Sequence, residues 1–174
     1  KLACRIIPDH AGSDSIPELD ERLMATPAVA MERCHEVTMN MGFTSVRATR
    51  NAMHELKSHD GKRAESIRED ERTADRYEDE LGTYLVKLSG CHLSDQDRVE
   101  AAELLHMIGD FERISDHAVN ILESTEELRG KGIAFTQPAI EEMSKMFGAV
   151  DEIMDLALTA FIHRDLSAAR EVEP

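Results

Sequence analysis

The chain has 174 residues and carries 35 acidic against 20 basic side chains, which gives a formal net charge of −15. Such a surface repels nucleic-acid phosphates, so we expect no nucleic-acid partner and regard metal cations as the natural small ligands. Three cysteines are too few for a disulfide framework and indicate a reducing, cytoplasmic setting. The absence of Trp and the 4% aromatic content favour helices packed on helices, and no apolar run approaches the roughly 20 residues that cross a bilayer.

The chain begins with a segment that does not read as core. Residues 1–25 hold Pro and Gly among polar side chains and are predicted to form a lead-in or linker segment. Thr26 and Pro27 then predict a helix start, with Thr as the N-cap and Pro at the first helical position. This first helix should run to about Ser58.

Four further helices follow, separated by turn residues. Gly90 predicts the end of the second helix, and Ser94 with Asp97 three residues later predicts the capped start of the third. No segment alternates polar and apolar residues with β-branched enrichment, so the predicted fold class is all-α. The predicted ranges are 62–89, 94–128 and 138–162, with an unfinished fifth helix from Asp165.

The sequence also suggests an internal repeat. A shift of 105 positions places Met41 on Met146 and Asp60 on Asp165, so that helices 1 and 2 are echoed by helices 4 and 5. The alternative is a chance match between amphipathic helices.

The main candidate site consists of two Glu-x-x-x-Asp pairs. Glu112 and Asp116 lie one turn apart on helix 3, where stepping along the apolar positions assigns Glu112 to the helix seam. Glu71 and Asp75 repeat the pattern on helix 2. If antiparallel neighbours align the pairs, four carboxylates converge, and multivalent cations would make this tolerable. Oxygen ligands suit iron, manganese, magnesium or calcium, with zinc possible.

Without a metal, Glu71 and Glu112 would either pair with nearby arginines or rotate to a solvated face. In the first case the carboxylates would be ordinary members of ion pairs. The arginines available for this role are Arg68, Arg72 and Arg113.

A second alternative uses different residues. Glu32 with His35, and Glu103 with His106, each form a Glu-x-x-His pair, the spacing by which ferritin-like di-iron carboxylate bundles place ligands. This reading predicts an iron enzyme in which the histidines are ligands. We regard His106 as more consistent with an ordinary histidine on the helix surface.

Two segments resemble a known family. Residues 71–81 (ERTADRYEDEL) and 105–121 (LHMIGDFERISDHAVNI) are similar to the PhoU family of phosphate-transport regulators. The resemblance implies two three-helix bundles related by a repeat, each carrying a metal-cluster signature. Carried over residue by residue, it implies that the metal ligands are Glu71, Asp75, Glu112 and Asp116.

The first 30 residues indicate a particular group of proteins that contain a PhoU-like region. Residues 1–9 (KLACRIIPD) and 19–30 (LDERLMATPAVA) resemble the cytoplasmic tail of bacterial sodium/phosphate cotransporter family proteins, in which a PhoU-like region follows the membrane domain. This implies a non-enzymatic, regulatory domain at the cytoplasmic face of the inner membrane. Its expected partners are metal ions and the membrane transporter domain of the same chain.

The resemblance also implies a division of the chain. After the lead-in segment 1–25, residues 26–132 should form a first antiparallel three-helix repeat and residues 133–174 a partial second repeat. The sequence stops before the second repeat's first metal signature is expected. We therefore expect helices 4 and 5 to pack against another copy in a homo-oligomer.

Overall fold

The computed structural model describes residues 19–172, and this part of the chain is entirely helical, as the sequence predicts. Most of the predicted lead-in segment, residues 1–18, lies outside the described residues. None of the helices within 19–172 combines the length and the hydropathy needed to span a bilayer. The elements are a 3₁₀ helix at Glu21–Ala25 and the α-helices α1 (Pro27–Lys57), α2 (Gly61–Ser89), α3 (Asp95–Gly130), α4 (Gln137–His163) and α5 (Leu166–Val172).

Local capping explains where most helices begin. The Asp60 side chain accepts a hydrogen bond from the amide of Lys62 at 3.0 Å, and the Ser94 hydroxyl accepts one from the amide of Asp97 at 3.1 Å. Thr26 differs from the prediction, because its side chain makes no capping bond to α1. Its hydroxyl instead donates to a carbonyl of the preceding 3₁₀ helix. That turn competes for the hydroxyl, while Pro27 still fixes the start of α1.

Helices α1, α2 and α3 form an antiparallel bundle with α2 running opposite to the other two. Each helix buries one stripe of apolar residues against its neighbours, which is the source of most of the hydrophobic stabilisation. Small side chains on α1 let α3 approach closely. Fully buried members of this core are Val37, Met41, Ile67, Leu81, Leu85, Leu88, Leu104 and Leu122.

The chain just before α1 is tied back onto the bundle. The Tyr84 hydroxyl donates to the backbone carbonyl of Asp20 at 2.9 Å, and Lys87 forms an ion pair with Glu21. The partly buried side chains of this segment pack against the core. The described end of the lead-in segment is therefore attached to α2. The packed side chains are Leu19, Leu23 and Met24.

Helix α4 crosses α1 in the opposite direction, and an arginine marks the crossing. Arg50 of α1 forms ion pairs with Asp151 and with Asp155 of α4, the latter at 2.6 Å. Farther along, the Lys57 ammonium lies 5.4 Å from the centre of the Phe147 ring. Arg50 and Asp155 are separated by 105 residues, the shift found in the sequence. Equivalent positions of the two proposed repeats therefore face each other.

Gly42 permits the closest contact between α1, α3 and α4. A Cβ atom at this position would lie 2.8 Å from Cζ of Phe111 and 3.0 Å from Cδ2 of Leu158. We expect Gly42→Ala to lower the free energy of unfolding by about 1–3 kcal/mol, because a packed ring must move. Gly148, on α4, has no atom within 4 Å of such a Cβ. Gly148→Ala is the matched control and should stabilise by about 0.5–1 kcal/mol in urea unfolding.

Candidate metal centre

Three of the four predicted ligands come together between α2 and α3. Because these helices run antiparallel, Glu71 and Asp75 on α2 face Asp116 near the middle of α3. One carboxylate oxygen from each of these residues lies within 4.8 Å of the other two. Among the His, Cys, Asp and Glu side chains of residues 19–172, no other three lie close enough together to share one metal ion.

The cluster lies at the edge of the helix interface, not in its apolar seam. Phe111 and Ser115 of α3 are buried, whereas Glu112 is partly exposed and Asp116 is exposed. The predicted placement of Glu112 in the seam is therefore wrong by one residue. The heptad step cannot distinguish adjacent positions when Leu104 and Leu105 are both apolar, and packing buries Leu104.

Glu112 lies beside the cluster instead of within the set of three. Its nearest acidic influences are Asp116, Glu78 and Asp75. Glu78 follows Glu71 by two turns on the same face of α2, and its Oε1 atom lies 3.8 Å from where a Cβ would stand on Gly109. Glu78 was not among the ligands predicted from the sequence. Its seven-residue spacing from Glu71 was the signal that could have added it to the site.

Partial burial and then mutual repulsion raise the pKa values of these carboxyls. Partial burial, followed by the charges of Asp75 and Asp116, raises the pKa of Glu71. Burial and then Asp116 raise the pKa of Asp75, and burial and then Asp116 raise that of Glu112. Each of these groups is therefore harder to ionise in the folded chain than in water. A bound cation would reverse this penalty by favouring the charged forms.

The nearby arginines form their ion pairs with other carboxylates, although the charges of Arg72 and Arg113 partly offset the raised pKa values of Glu71 and Glu112. Arg68 pairs with Glu126 at 2.7 Å, and Arg72 pairs with Glu65 at 3.1 Å and with Glu69. Arg113 lies 3.9 Å from Asp110. Over residues 19–172, Glu71 and Glu112 have no ion pair within 4.0 Å. Arginine pairing is therefore not what the geometry shows, whereas the solvated-face alternative holds in part, since Glu71 and Glu112 are partly exposed.

The residues of the di-iron alternative do not assemble into a comparable set. His35 stacks on the ring of Phe161, with ring centroids 4.8 Å apart, while Glu32, Glu103 and His106 are exposed. Burial, with a further contribution from Arg164, lowers the pKa of His35. Among the described residues no three of these side chains place ligand atoms within 4.8 Å of one another. His35 is thus an aromatic packing residue.

The set of three suits a cation that prefers oxygen ligands. Ionised carboxylates are hydrogen-bond acceptors only, and together they supply a concentrated negative charge with no thiol or imidazole. Hard or intermediate metal ions bind such sets, and the exposure of Asp75 and Asp116 leaves room for water to complete the coordination. The arrangement offers no nucleophile or general base with a partner that would activate it.

Comparison with known proteins finds a family match that contains the carboxylate cluster. The PhoU domain matches residues 38–125, about half of the chain, and this range contains all four predicted ligands. The phosphate-specific transport system accessory protein PhoU homolog of Clostridium acetobutylicum is 24% identical over 148 residues, which is 82% of this chain. The match covers 64% of the length of that relative. No solved structure matches the chain.

Proposed function

Because the chain belongs to the PhoU domain family, we propose that it regulates phosphate transport through metal ions held between α2 and α3. The observation that carries the metal part of this proposal is the convergence of Glu71, Asp75 and Asp116 within 4.8 Å. The transport part is supported by the family and by the name of the clostridial relative, an accessory protein of a phosphate-specific transport system. On this proposal the domain acts by binding and not by catalysis.

Inorganic phosphate would reach the site only through a bound metal. The carboxylates of Glu71, Asp75 and Asp116 repel an anion, and they have no hydrogen to donate to it when ionised. A metal ion held by these three groups would reverse the local charge and keep positions open for phosphate oxygens. Occupancy of this one site would then depend on the concentrations of both the metal ion and phosphate.

The sensed state would be passed to an attached sodium-dependent phosphate transporter. The support for this attachment is the resemblance of residues 19–30 to the cytoplasmic tail of sodium/phosphate cotransporter family proteins. The structure of this segment is compatible with transmission, since Tyr84 and Lys87 of α2 hold it against the same helix that carries Glu71. A movement of α2 would therefore displace residues 19–25, which precede α1.

Metal content tests the site directly. We expect the purified protein to retain Mn²⁺ or Fe²⁺ through desalting, and Glu71→Ala combined with Asp116→Ala to lose most of it, because two of three converging ligands are gone. Elemental analysis of both proteins measures this. Glu80→Ala with Glu123→Ala is the matched control, since it removes one exposed glutamate from α2 and one from α3.

The same experiment addresses Glu112 and the transport role. Glu112→Ala alone should lower the metal content less than the double variant, because Glu112 lies outside the close set. In cells that make the full-length protein, the Glu71→Ala and Asp116→Ala variant should change the rate of phosphate uptake at an unchanged protein level. Equal metal content in wild type and double variant would remove the site from the proposal, whatever the uptake rate.

A further inference from the structure

A groove separate from the carboxylate cluster opens between the first half of α3 and the turn from α4 to α5. Its volume is about 710 Å³. One wall is a single face of α3 from Gln96 to Asp110, and the other is formed by the end of α4 and by Leu166 and Ala169 of α5. Nothing in the proposed phosphate role uses these surfaces.

The floor and the α5 wall of the groove are apolar. The stacked rings of His35 and Phe161 form part of the floor together with Leu104 and Met107. Leu166 is 75% exposed and Val99 is 59% exposed, so both walls of the groove present apolar surface to water. Apolar surface on facing walls would be removed from water by an occupant of the right shape.

The length of the groove indicates a helical occupant. The α3 wall spans 15 residues from Gln96 to Asp110, or about 21 Å at the rise of an α-helix. Its members recur every three or four residues, and within residues 19–172 this face of α3 is open over about four turns except where Arg164, at the end of α4, pairs with Glu100. This is the arrangement in which an amphipathic helix lies in a groove.

The rim of the groove is acidic. Glu103 and Asp110 stand two turns apart on the rim formed by α3, and both are exposed. Over the described residues Glu103 has no ion pair, and Asp110 has only Arg113 at 3.9 Å. Arg164, the arginine that lines the groove, is engaged in an ion pair with Glu100. The unneutralised charge along the α3 rim is therefore negative.

We propose that this groove binds a basic amphipathic helix of a partner protein. Apolar residues of that helix would cover Val99, Met107 and Leu166, and its Lys or Arg side chains would meet Glu103 and Asp110. The α4 helix of a second copy is a poor occupant, since acidic side chains flank its exposed apolar residues. Those apolar residues are Met146 and Ile153, and the flanking acids are Glu142 and Glu152.

A designed peptide probes the groove without knowledge of the natural partner. The probe is a fluorescein-labelled 16-residue helix with leucine along one face and lysine beside it, and its counterpart carries glutamate in place of lysine. We expect fluorescence anisotropy to show saturable binding of the lysine peptide only. Glu103→Lys with Asp110→Lys should weaken this binding by about tenfold or more. Leu166→Ser should weaken it at both low and high salt, because it removes apolar contact.

Matched controls separate the groove from the general acidity of the chain. Glu65→Lys with Glu123→Lys makes the same change in net charge at exposed positions away from the groove and should leave binding nearly unchanged. Equal binding of both peptides, or equal loss in both double variants, would overturn the proposal. So would sedimentation showing a dimer that the lysine peptide dissociates, since a second copy would then be the occupant.

Discussion

Glu55→Ala is expected to lower the free energy of unfolding by about 3 kcal/mol, one of the largest single effects in this chain. Glu55 is 1% exposed at the end of α1, where it accepts hydrogen bonds from the amide of Asp60 at 2.9 and 3.1 Å. Its carboxylate also pairs with His59, with Arg63 at 3.4 Å and with Arg129 at 3.5 Å. One side chain thus joins α1, the connection to α2 and the end of α3.

The predicted loss of unfolding free energy comes from the groups that Glu55→Ala leaves without a partner. Without Glu55, the Asp60 amide loses its acceptor and three cationic or ionisable groups lose their common partner. Urea unfolding followed by circular dichroism measures the change. Glu55→Gln should cost less, because it keeps an acceptor for the amide. Glu36→Ala on the same helix is the control and should stay within about 0.5 kcal/mol, since its ion pair with Arg33 is at the surface.

Asp75→Asn is expected to change stability in opposite directions with and without metal. In metal-free protein it removes repulsion with Asp116 and Asp79, so stability should rise by about 0.3 kcal/mol. With metal at 100 times its dissociation constant, the wild type should gain about 2.7 kcal/mol, and the variant should lose most of that gain. Unfolding curves with Mn²⁺ and with a chelator measure both effects.

The pH dependence of stability in the metal-free protein also predicts that Asp75→Asn is stabilising. Because the folded-state pKa of Asp75 is raised above its unfolded value, ionisation costs stability at neutral pH. That cost declines as pH falls through the folded-state pKa and is absent below the unfolded value near 3.8. The advantage of Asp75→Asn over wild type in chelator should therefore shrink on acidification. An advantage that grew at low pH would contradict the raised pKa of Asp75, which burial and then Asp116 produce.

The helix boundaries could be predicted from sequence because local chemistry determines them. Asp60, Ser94 and Pro27 act within one turn of their own position, and each predicted boundary agrees with the structure to within two residues. The all-α class followed from composition and periodicity in the same way. The pairing of α2 with α3 was also foreseeable, since a short connection makes neighbouring helices antiparallel.

Three of the features that sequence reasoning missed depend on contacts between distant residues. Which face of α3 is buried depends on the contact between Phe111 and Gly42. Because Phe111 packs there, the adjacent Glu112 lies outside the apolar seam of α3. The role of Glu55 depends on Arg129, which is 74 residues away. The groove beside Leu166 exists only because α4 and α5 return to the first half of α3. No periodicity within one helix carries this information.

The ion pair between Arg50 and Asp155 has a consequence for how such a chain can arise by duplication. At a crossing of two equivalent helices, the same position of each copy meets its own counterpart. If the 105-residue shift reflects a duplication, identical charged residues would repel at this point. A change of charge in one copy would then turn the repulsion into an attraction and favour pairing between the two different copies over pairing between identical ones.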